Sequence, residues 1–567
     1  MKIKPISGQA MRHARTPLLR SLQQAFKMAF AATSSQTAPV DELIEMTSES
    51  RYNRRKFLGH LGQAGLVLGA GGLLSACAKE EIIPQIEKAT PGANARRGGP
   101  VIAIVGAGIA GLNCAYKLKK AGYTATIYEA SKRVGGRMFT QKNLMGTGLT
   151  TELGGEFIDS GHKEMLKLTK EFGFSLIDTF APSEQALIKD AYFFNGQHYT
   201  LKQVIDAFAP YAAKIASDID ALPSVITYNN PEKAVFYDQM SISDYFNYIG
   251  MSGWIRSLLE VAYLTEYGLE VHEQSCINFL WLFSPDTSKG SFDIFGDSDE
   301  RYKIIGGNQQ VTDALYKQVQ NQVVLENKLV AIHPNGKGYK LAFEKTNGSI
   351  TEVLCDIAVL TLPFTLLRNV AITVPLPSWK TNAIQNLGYG TNAKLLLGFN
   401  TKPWRTNGYT GYLFSKGPVQ SGWDNTQLQA GNKGGYTVYL GGIAGVKVGQ
   451  GTAQSQVSNF LPALQAIWPG MSSSFNGIAE RMHWPTHPFT KASYACYKPG
   501  QYTTIAGAER KSVGNLFFAG EHCSINYQGY MNGAAETGKQ AAEEILSSLT
   551  GKKLVVATDE VLYAEQV

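Results

Sequence analysis

Five consecutive apolar residues, Val101 to Val105, run directly into Gly106-Ala107-Gly108-Ile109-Ala110-Gly111. An unbroken β-branched run of this kind suits a parallel strand buried on both faces. Beyond the glycines, Leu112, Ala115 and Leu118 recur at helical spacing until Gly122 stops the helix. A second strand, Thr124 to Tyr128, then ends on Glu129, 18 residues beyond Gly111. Each element has a physical task. Gly106 permits the tight turn, Gly108 lets backbone approach a pyrophosphate, and Gly111 lets helix pack on strand. The pyrophosphate rests on the helix N-terminus, and Glu129 accepts hydrogen bonds from the adenosine ribose hydroxyls. A glycine-rich turn with no ligand leaves the acid at this distance unexplained. The chain therefore has to build an α/β dinucleotide-binding unit, although the motif alone does not choose between NAD and FAD.

With 567 residues the chain has room for two to four folding units around such a motif. It is 44% hydrophobic and 17% charged, as ordinary globular proteins are, and its 58 glycines suit several tight turns against a ligand. The net charge of +7 is spread along the chain, with no basic stripe interleaved with aromatics, so no nucleic-acid partner is indicated. None of the six cysteines lies in a Cys-x-x-Cys pair, which speaks against a zinc site or a redox dithiol and for buried, reduced thiols.

Residues ahead of the nucleotide unit form an address. Asn53-Arg54-Arg55-Lys56-Phe57-Leu58 is followed by a weakly apolar run from Ala64 to Ala76, then by Cys77. Positive, apolar and small-residue regions in that order make an export signal, too short and glycine-rich to span a bilayer comfortably. Arg54-Arg55 resembles the twin-arginine signal, whose export machinery carries folded proteins. Leu74-Ser75-Ala76-Cys77 resembles the bacterial lipobox, which implies lipidation at Cys77 and a membrane anchor outside the cytoplasm. Residues 1–76 are thus expected to be an N-terminal extension and export signal, with Met46 an alternative start, and 77–98 a tether of Pro, Gly, Ala and Arg.

After Glu129 and Ala130 come Arg133-Val134-Gly135-Gly136-Arg137 and Glu152-Leu153-Gly154-Gly155-Glu156-Phe157. Paired glycines so close to the first motif suggest backbone packed on an extended, flat ligand. Near the C-terminus, Asn515 to Phe518 leads into Ala519-Gly520-Glu521-His522, and Gln528-Gly529-Tyr530-Met531 opens another helix. Together these segments resemble the flavin-containing amine oxidase family, which includes monoamine, polyamine and L-amino-acid oxidases. The resemblance covers roughly residues 99 to 548, including Arg301 to Gly307 and the strand Asp356 to Pro363 in the middle. It implies FAD, with a backbone contact to adenine at Leu329, Arg137 on the pyrophosphate side, Glu521 at the ribityl hydroxyls and the Met531 amide at the flavin ring.

The fold class implied is α/β: a Rossmann-like FAD-binding domain built from residues 99–162, 299–374 and 486–550, plus an inserted α+β substrate-binding domain from 163–298 and 375–485. Residues 551–567 are a C-terminal tail. The first inserted stretch reads as helical through Leu258, Leu259, Val261, Ala262 and Leu264, whereas Lys394 to Phe399 and Tyr436 to Leu440 alternate and should supply a sheet beside the flavin.

The resemblance also carries the candidate catalytic residues. Lys394 stands among five apolar neighbours and matches the family lysine that holds a water near flavin N5; an edge-strand lysine that snorkels outward is the bland alternative. Tyr494 and Tyr530 match the two rings that cage the flavin, and Trp484 maps to another wall, although all three also suit an ordinary core. Phe157 falls where L-amino-acid oxidases place the arginine that pairs the substrate carboxylate, with Arg405 and Arg481 as possible substitutes. Glu266 is a pocket candidate for the far ammonium of a diamine, or else a residue that caps or pairs within the helical domain. Where monoamine oxidases tether the flavin to a cysteine, this chain has Ser493, and Cys496 is out of register, so the FAD is expected to be non-covalent. His483, His487 and His522 have no ligand-spaced Cys or carboxylate partner, and no metal site is expected.

These residues imply oxidation of a primary or secondary amine, with O2 as the final electron acceptor. Alternatives on the same scaffold are an L-amino-acid oxidase, a desaturase or dehydrogenase with another acceptor, and a surface binding protein that keeps FAD structurally.

Overall fold

The computed structural model describes residues 99–223, 225–281 and 299–551. Arg54, Arg55 and Cys77, with the expectations attached to them, lie outside that range, as do residues 552–567. Val101 to Val105 does become a central strand. Ile102–Val105 is buried throughout and sits third in a five-stranded parallel sheet. The order is Leu516–Phe518, Ile357–Leu360, Ile102–Val105, Ala125–Tyr128, Val323–Val324. Stretches of chain about 200 residues apart thus meet in one sheet, which forms only when the intervening chain has folded back.

Helix Ile109–Lys120 follows the central strand and packs against both Met531–Thr550 and Gln309–Val319. Contact with the C-terminal helix is backbone to backbone: a Cβ on Gly538 would lie 2.1 Å from the Ala110 carbonyl oxygen. Beside the sheet lies an antiparallel layer of Asn327–Asn335, Gly338–Lys345 and Ile350–Cys355, with a register shift after Leu329.

The remaining chain forms a second unit around a seven-stranded sheet. Ala393–Phe399 and Gly434–Leu440 are antiparallel neighbours in it, as their alternation predicts, and place Lys394 opposite Tyr439. Helices Leu201–Ala221 and Gly253–Tyr267 lie alongside, the first opened by a Thr200–Gln203 capping box. The stretch expected to be helical also contributes strands. Ile188–Phe194 and Gln197–Tyr199 form a hairpin that extends the sheet through parallel pairing with Tyr409–Ser415. Its sheet partner lies some 220 residues away, so no local pattern announces it. The molecule is therefore a Rossmann-like nucleotide-binding domain joined to an α+β domain, the fold class expected. No helix among the described residues is long and apolar enough to cross a membrane.

Candidate active site

One cavity of about 1120 Å³ runs from the end of the parallel sheet to the face of the seven-stranded sheet. At its nucleotide end the walls are largely main chain. Gly106, Gly108, Ile109 and Ala110 line it at the start of the first helix, whose N-cap Gly108 offers no side-chain acceptor. Across the cavity, Gly529, Tyr530 and Met531 line the start of the C-terminal helix, which likewise has no side-chain cap. Two helix N-termini with uncommitted amides make a site for the polar parts of an anionic cofactor. Glu129 lines the same end, its carboxylate oxygens accepting from Ala107 N at 2.7 Å and Ser131 N at 2.8 Å. Those bonds fix its orientation, and each oxygen keeps a further lone pair.

Several glycines are required sterically. Gly106 has φ +106°, and a Cβ on Gly111 would stand 2.0 Å from the Gly106 carbonyl oxygen. One on Gly154 would meet the Arg137 carbonyl at 1.8 Å, and one on Gly155 the Met531 side chain at 2.7 Å. Gly135, Gly136, Gly154, Gly155, Gly520, Ala130 and Leu329 all line the cavity. Ala107, Gly111 and Leu153 do not: the first two shape the turn behind it, and Leu153 packs with Met145, Leu396 and Trp484.

Midway along the cavity, charged side chains tie the chain segments together. Arg137 donates to the Ser493 carbonyl at 2.6 Å and to Glu521 at 3.0 Å. Glu521 also accepts from Gly529 N at 2.8 Å and from Ala495 N at 3.3 Å. Arg133 donates to the carbonyls of Val134 and Gly136 and lies over the Phe139 ring. Arg133, Arg137 and Glu521 therefore reach the cavity already braced by protein partners.

The far end is built from side chains. Phe157, Trp423, Tyr439, Trp484, Tyr494 and Tyr530 line it together with Lys394 and Glu156. Phe157 and Trp423 meet edge to face at 5.9 Å, and Trp423 and Tyr439 are 5.1 Å apart. The Tyr494 hydroxyl is held by Tyr439 Oη at 2.9 Å and the Glu266 carbonyl at 2.7 Å. The Tyr530 ring stands against the buried His162 imidazole at 4.9 Å. Trp423 and Tyr439 are lining residues that the motifs did not indicate. They lie on strands aligned by sheet pairing; the alternation from Tyr436 to Leu440 marks the strand of Tyr439 but not that ring, and nothing near Trp423 in sequence marks it out.

Lys394 is buried, and all three of its N–H donors have protein acceptors. These are the carbonyls of Glu152 (3.0 Å) and Gly154 (2.9 Å) and the Glu156 carboxylate (2.9 Å). It does not snorkel outward, the alternative that an edge-strand lysine offered. The other Glu156 oxygen takes Lys303 Nζ at 2.8 Å, so one carboxylate joins two buried lysines. Burial alone would raise the Glu156 carboxyl, but the two ammonium groups overcome it and hold it below the usual carboxylate range. Glu152 differs: burial pushes its carboxyl up to about 7 against hydrogen bonds from Asn308 N and Thr140 Oγ1.

Glu266 corrects an expectation. It is fully buried in helix Gly253–Tyr267 and does not line the cavity; only its main-chain carbonyl reaches towards it, through Tyr494 Oη. Arg405 and Arg481 are also absent from the lining. Arg405 makes a bidentate pair with Glu184 at 2.8 and 2.9 Å, and Arg481 donates to the carbonyls of Val448, Gln450 and Gly451. Ser493 Oγ donates to Asn392 Oδ1 at 2.7 Å, and Cys496 is buried away from the cavity. Of the three histidines, only His487 lines the cavity.

Comparison with known proteins agrees with this geometry. The sequence signature of the family described as "Flavin containing amine oxidoreductase" matches residues 109–546. Amine oxidase [flavin-containing] B of Bos taurus is 25% identical over 465 residues, 79% of this chain and 86% of that protein. The corresponding protein of Canis lupus familiaris is 26% identical over 487 residues, 82% and 88%. Among solved structures, cyclohexylamine oxidase from Brevibacterium oxydans superposes with a TM-score of 0.68 at 20% identity. Putrescine oxidase bound to putrescine gives 0.67 at 21%. Each structure covers 79% of this chain and 99% of its own.

Proposed function

We propose that this chain, which belongs to the flavin-containing amine oxidoreductase family, oxidises simple primary or secondary amines using non-covalently held FAD. The residues present fit that cofactor. Glycines whose Cβ atoms would strike neighbouring backbone, two uncapped helix N-termini and Glu129 suit the nucleotide part, while the aromatic end suits a flat ring. FAD supplies hydride acceptance from the carbon beside the amine nitrogen, and O2 is the proposed final acceptor, giving hydrogen peroxide, an aldehyde and ammonia or a smaller amine. The protein supplies orientation and electrostatics. Tyr494, held by Tyr439 and the Glu266 carbonyl, and Tyr530, backed by His162, present rigid aromatic faces to an amine. Phe157 and Trp423 exclude water from the carbon skeleton. Lys394, fixed by three acceptors, places a positive charge beside the reacting end.

The observation that carries this reading is the occupancy of the arginines. A substrate carboxylate in a dry pocket needs a cation, since leaving it unpaired costs several kcal/mol. Phe157 cannot serve, and Arg405 and Arg481 are engaged elsewhere. Stopped-flow anaerobic reduction with matched pairs, tyramine against tyrosine and cadaverine against lysine, is the test. The amine should reduce the flavin at least about tenfold faster, a lower bound set well inside the several kcal/mol that an unpaired charge costs. Faster reduction by the amino acids would place the chain among amino-acid oxidases. Peroxide yield per turnover checks the acceptor, and a stoichiometric yield is expected.

Non-covalent attachment is supported by Ser493, whose hydroxyl is bonded to Asn392, and by Cys496, which does not reach the cavity. Acid precipitation should leave all the yellow colour in the supernatant; colour in the pellet would count against it. Export as a lipid-anchored protein rests on the order of Arg54-Arg55, the apolar run and Cys77. Cys77→Ala should move activity from the membrane fraction to the soluble one, and unchanged fractionation would oppose it.

A further inference from the structure

The cavity's reacting end carries more charge than its oxidation chemistry requires. Lys394 and Lys303 lie 91 residues apart, on strands Ala393–Phe399 and Tyr302–Ile304, and they end on the two oxygens of Glu156. All three side chains are at most 6% exposed. Lys303 also donates to the Asn425 carbonyl at 2.9 Å and lies 5.5 Å from the Phe157 ring, while Lys394 lies 5.4 Å from Trp423. Two cations and one anion leave these three side chains with a net single positive charge, a charge the neighbouring Glu152 carboxyl offsets once it ionises, burial having pushed it up to about 7. An ammonium has three N–H bonds and no acceptor. On Lys394 two go to main-chain carbonyls and the third to Glu156.

We propose that Glu156 is a positioning residue that holds Lys394 as a hydrogen-bonded cation and, with Lys303, sets the charge acting on the flavin. The charge of Lys394 then acts on the cofactor from a fixed position. Buried ion clusters are costly unless their geometry is well satisfied, and removing one member leaves its partner uncompensated. Reduction places negative charge on the flavin, so the cluster's net charge should register in the reduction equilibrium. The proposal rests on the reading that the flavin ring lies beside Lys394.

The experiment is the midpoint potential of bound FAD, measured by dye equilibration at a pH well above the Glu152 value of about 7, so that carboxyl stays ionised. Glu156→Gln keeps a hydrogen-bond acceptor but removes the negative charge. It should shift the two-electron equilibrium about tenfold towards the reduced flavin, about 30 mV positive. Lys303→Met should shift it by a similar factor the other way, and carries the test if Glu156→Gln does not load flavin. The double variant Glu156→Gln with Lys303→Met restores the net charge and should return close to wild type. Lys394→Met tests the flavin's placement and should shift the potential negative. If Lys394→Met moves it while Glu156→Gln and Lys303→Met do not, the role of Glu156 is overturned and the placement stands. A double variant displaced as far as Glu156→Gln also overturns it, because the effect would not be one of charge. If no variant moves the potential, the placement fails and the proposal with it.

Discussion

The two ends of the cavity are built by different rules. At the nucleotide end the ligand-facing groups are main-chain amides and glycine Cα atoms, held by one local strand–turn–helix unit and its C-terminal counterpart. At the amine end they are side chains: Phe157, Lys394, Trp423, Tyr439, Trp484, Tyr494 and Tyr530, drawn from widely separated stretches of chain. Backbone recognition tolerates no added atom. Side-chain walls can be re-lined one residue at a time while the frame persists.

The contrast is most directly broken at Gly111. A Cβ there would overlap the Gly106 carbonyl at 2.0 Å, so Gly111→Ala should abolish recovery of flavin-loaded protein. Phe157→Ala, one methyl-sized residue at the amine end, should purify with normal FAD content. The flavin-to-protein absorbance ratio reads both, and equal loading would erase the distinction.

Lys394→Met preserves length and apolar packing. Oxidative turnover should fall about tenfold or more with FAD content retained, the loss of one positioned charge or hydrogen bond at a reacting centre being worth a few kcal/mol at most. Wild-type rates in a FAD-replete variant would remove Lys394 from the chemistry and leave the amine end as a shape alone.

A smaller effect sharpens the boundary between wall and frame. His522 follows Glu521 in the same motif yet faces inward against Phe364 at 4.5 Å, and neither ring nitrogen has a hydrogen-bond partner. Burial lowers its imidazole to about 4, so the fold accepts only the neutral ring. With the folded value below the unfolded one, acid favours the unfolded chain. Stability is present above the ordinary value of about 6.5 and is lost as pH falls from there towards 4. His522→Phe should leave the melting temperature near pH 7 within about 2 °C and flatten its decline between about pH 6.5 and 4. An unchanged acid slope would show that other groups carry it.

How much of this was legible beforehand follows the same division. Gly106 to Gly111, Glu129, the paired glycines and the Gly529-Tyr530-Met531 turn could be read because their constraints are local: a positive φ, a forbidden Cβ or a helix start shows in a few adjacent residues. Their neighbours in the sheet and the α/β class came with them. Lys394 stood out through an energetic anomaly, an ammonium in an apolar strand, but its partners did not. Nothing in the Ser421–Asp424 strand marks Trp423, and nothing near Lys303 announces that it shares Glu156 with a lysine 91 residues away. Glu266 misled for a related reason: helical spacing gives a face, and only packing decides whether that face meets the cavity or another helix.

The sequence by itself determined the strand–turn–helix unit with its following acid and where small residues are obligatory, because hard-sphere contact acts between near neighbours. Only the tertiary structure decided which side chains meet at the amine end, that Arg405 and Arg481 are engaged elsewhere, and that Glu156 binds two lysines 91 residues apart in the chain. Charge pairing and cavity shape are properties of spatial distance, and separation along the chain does not encode them.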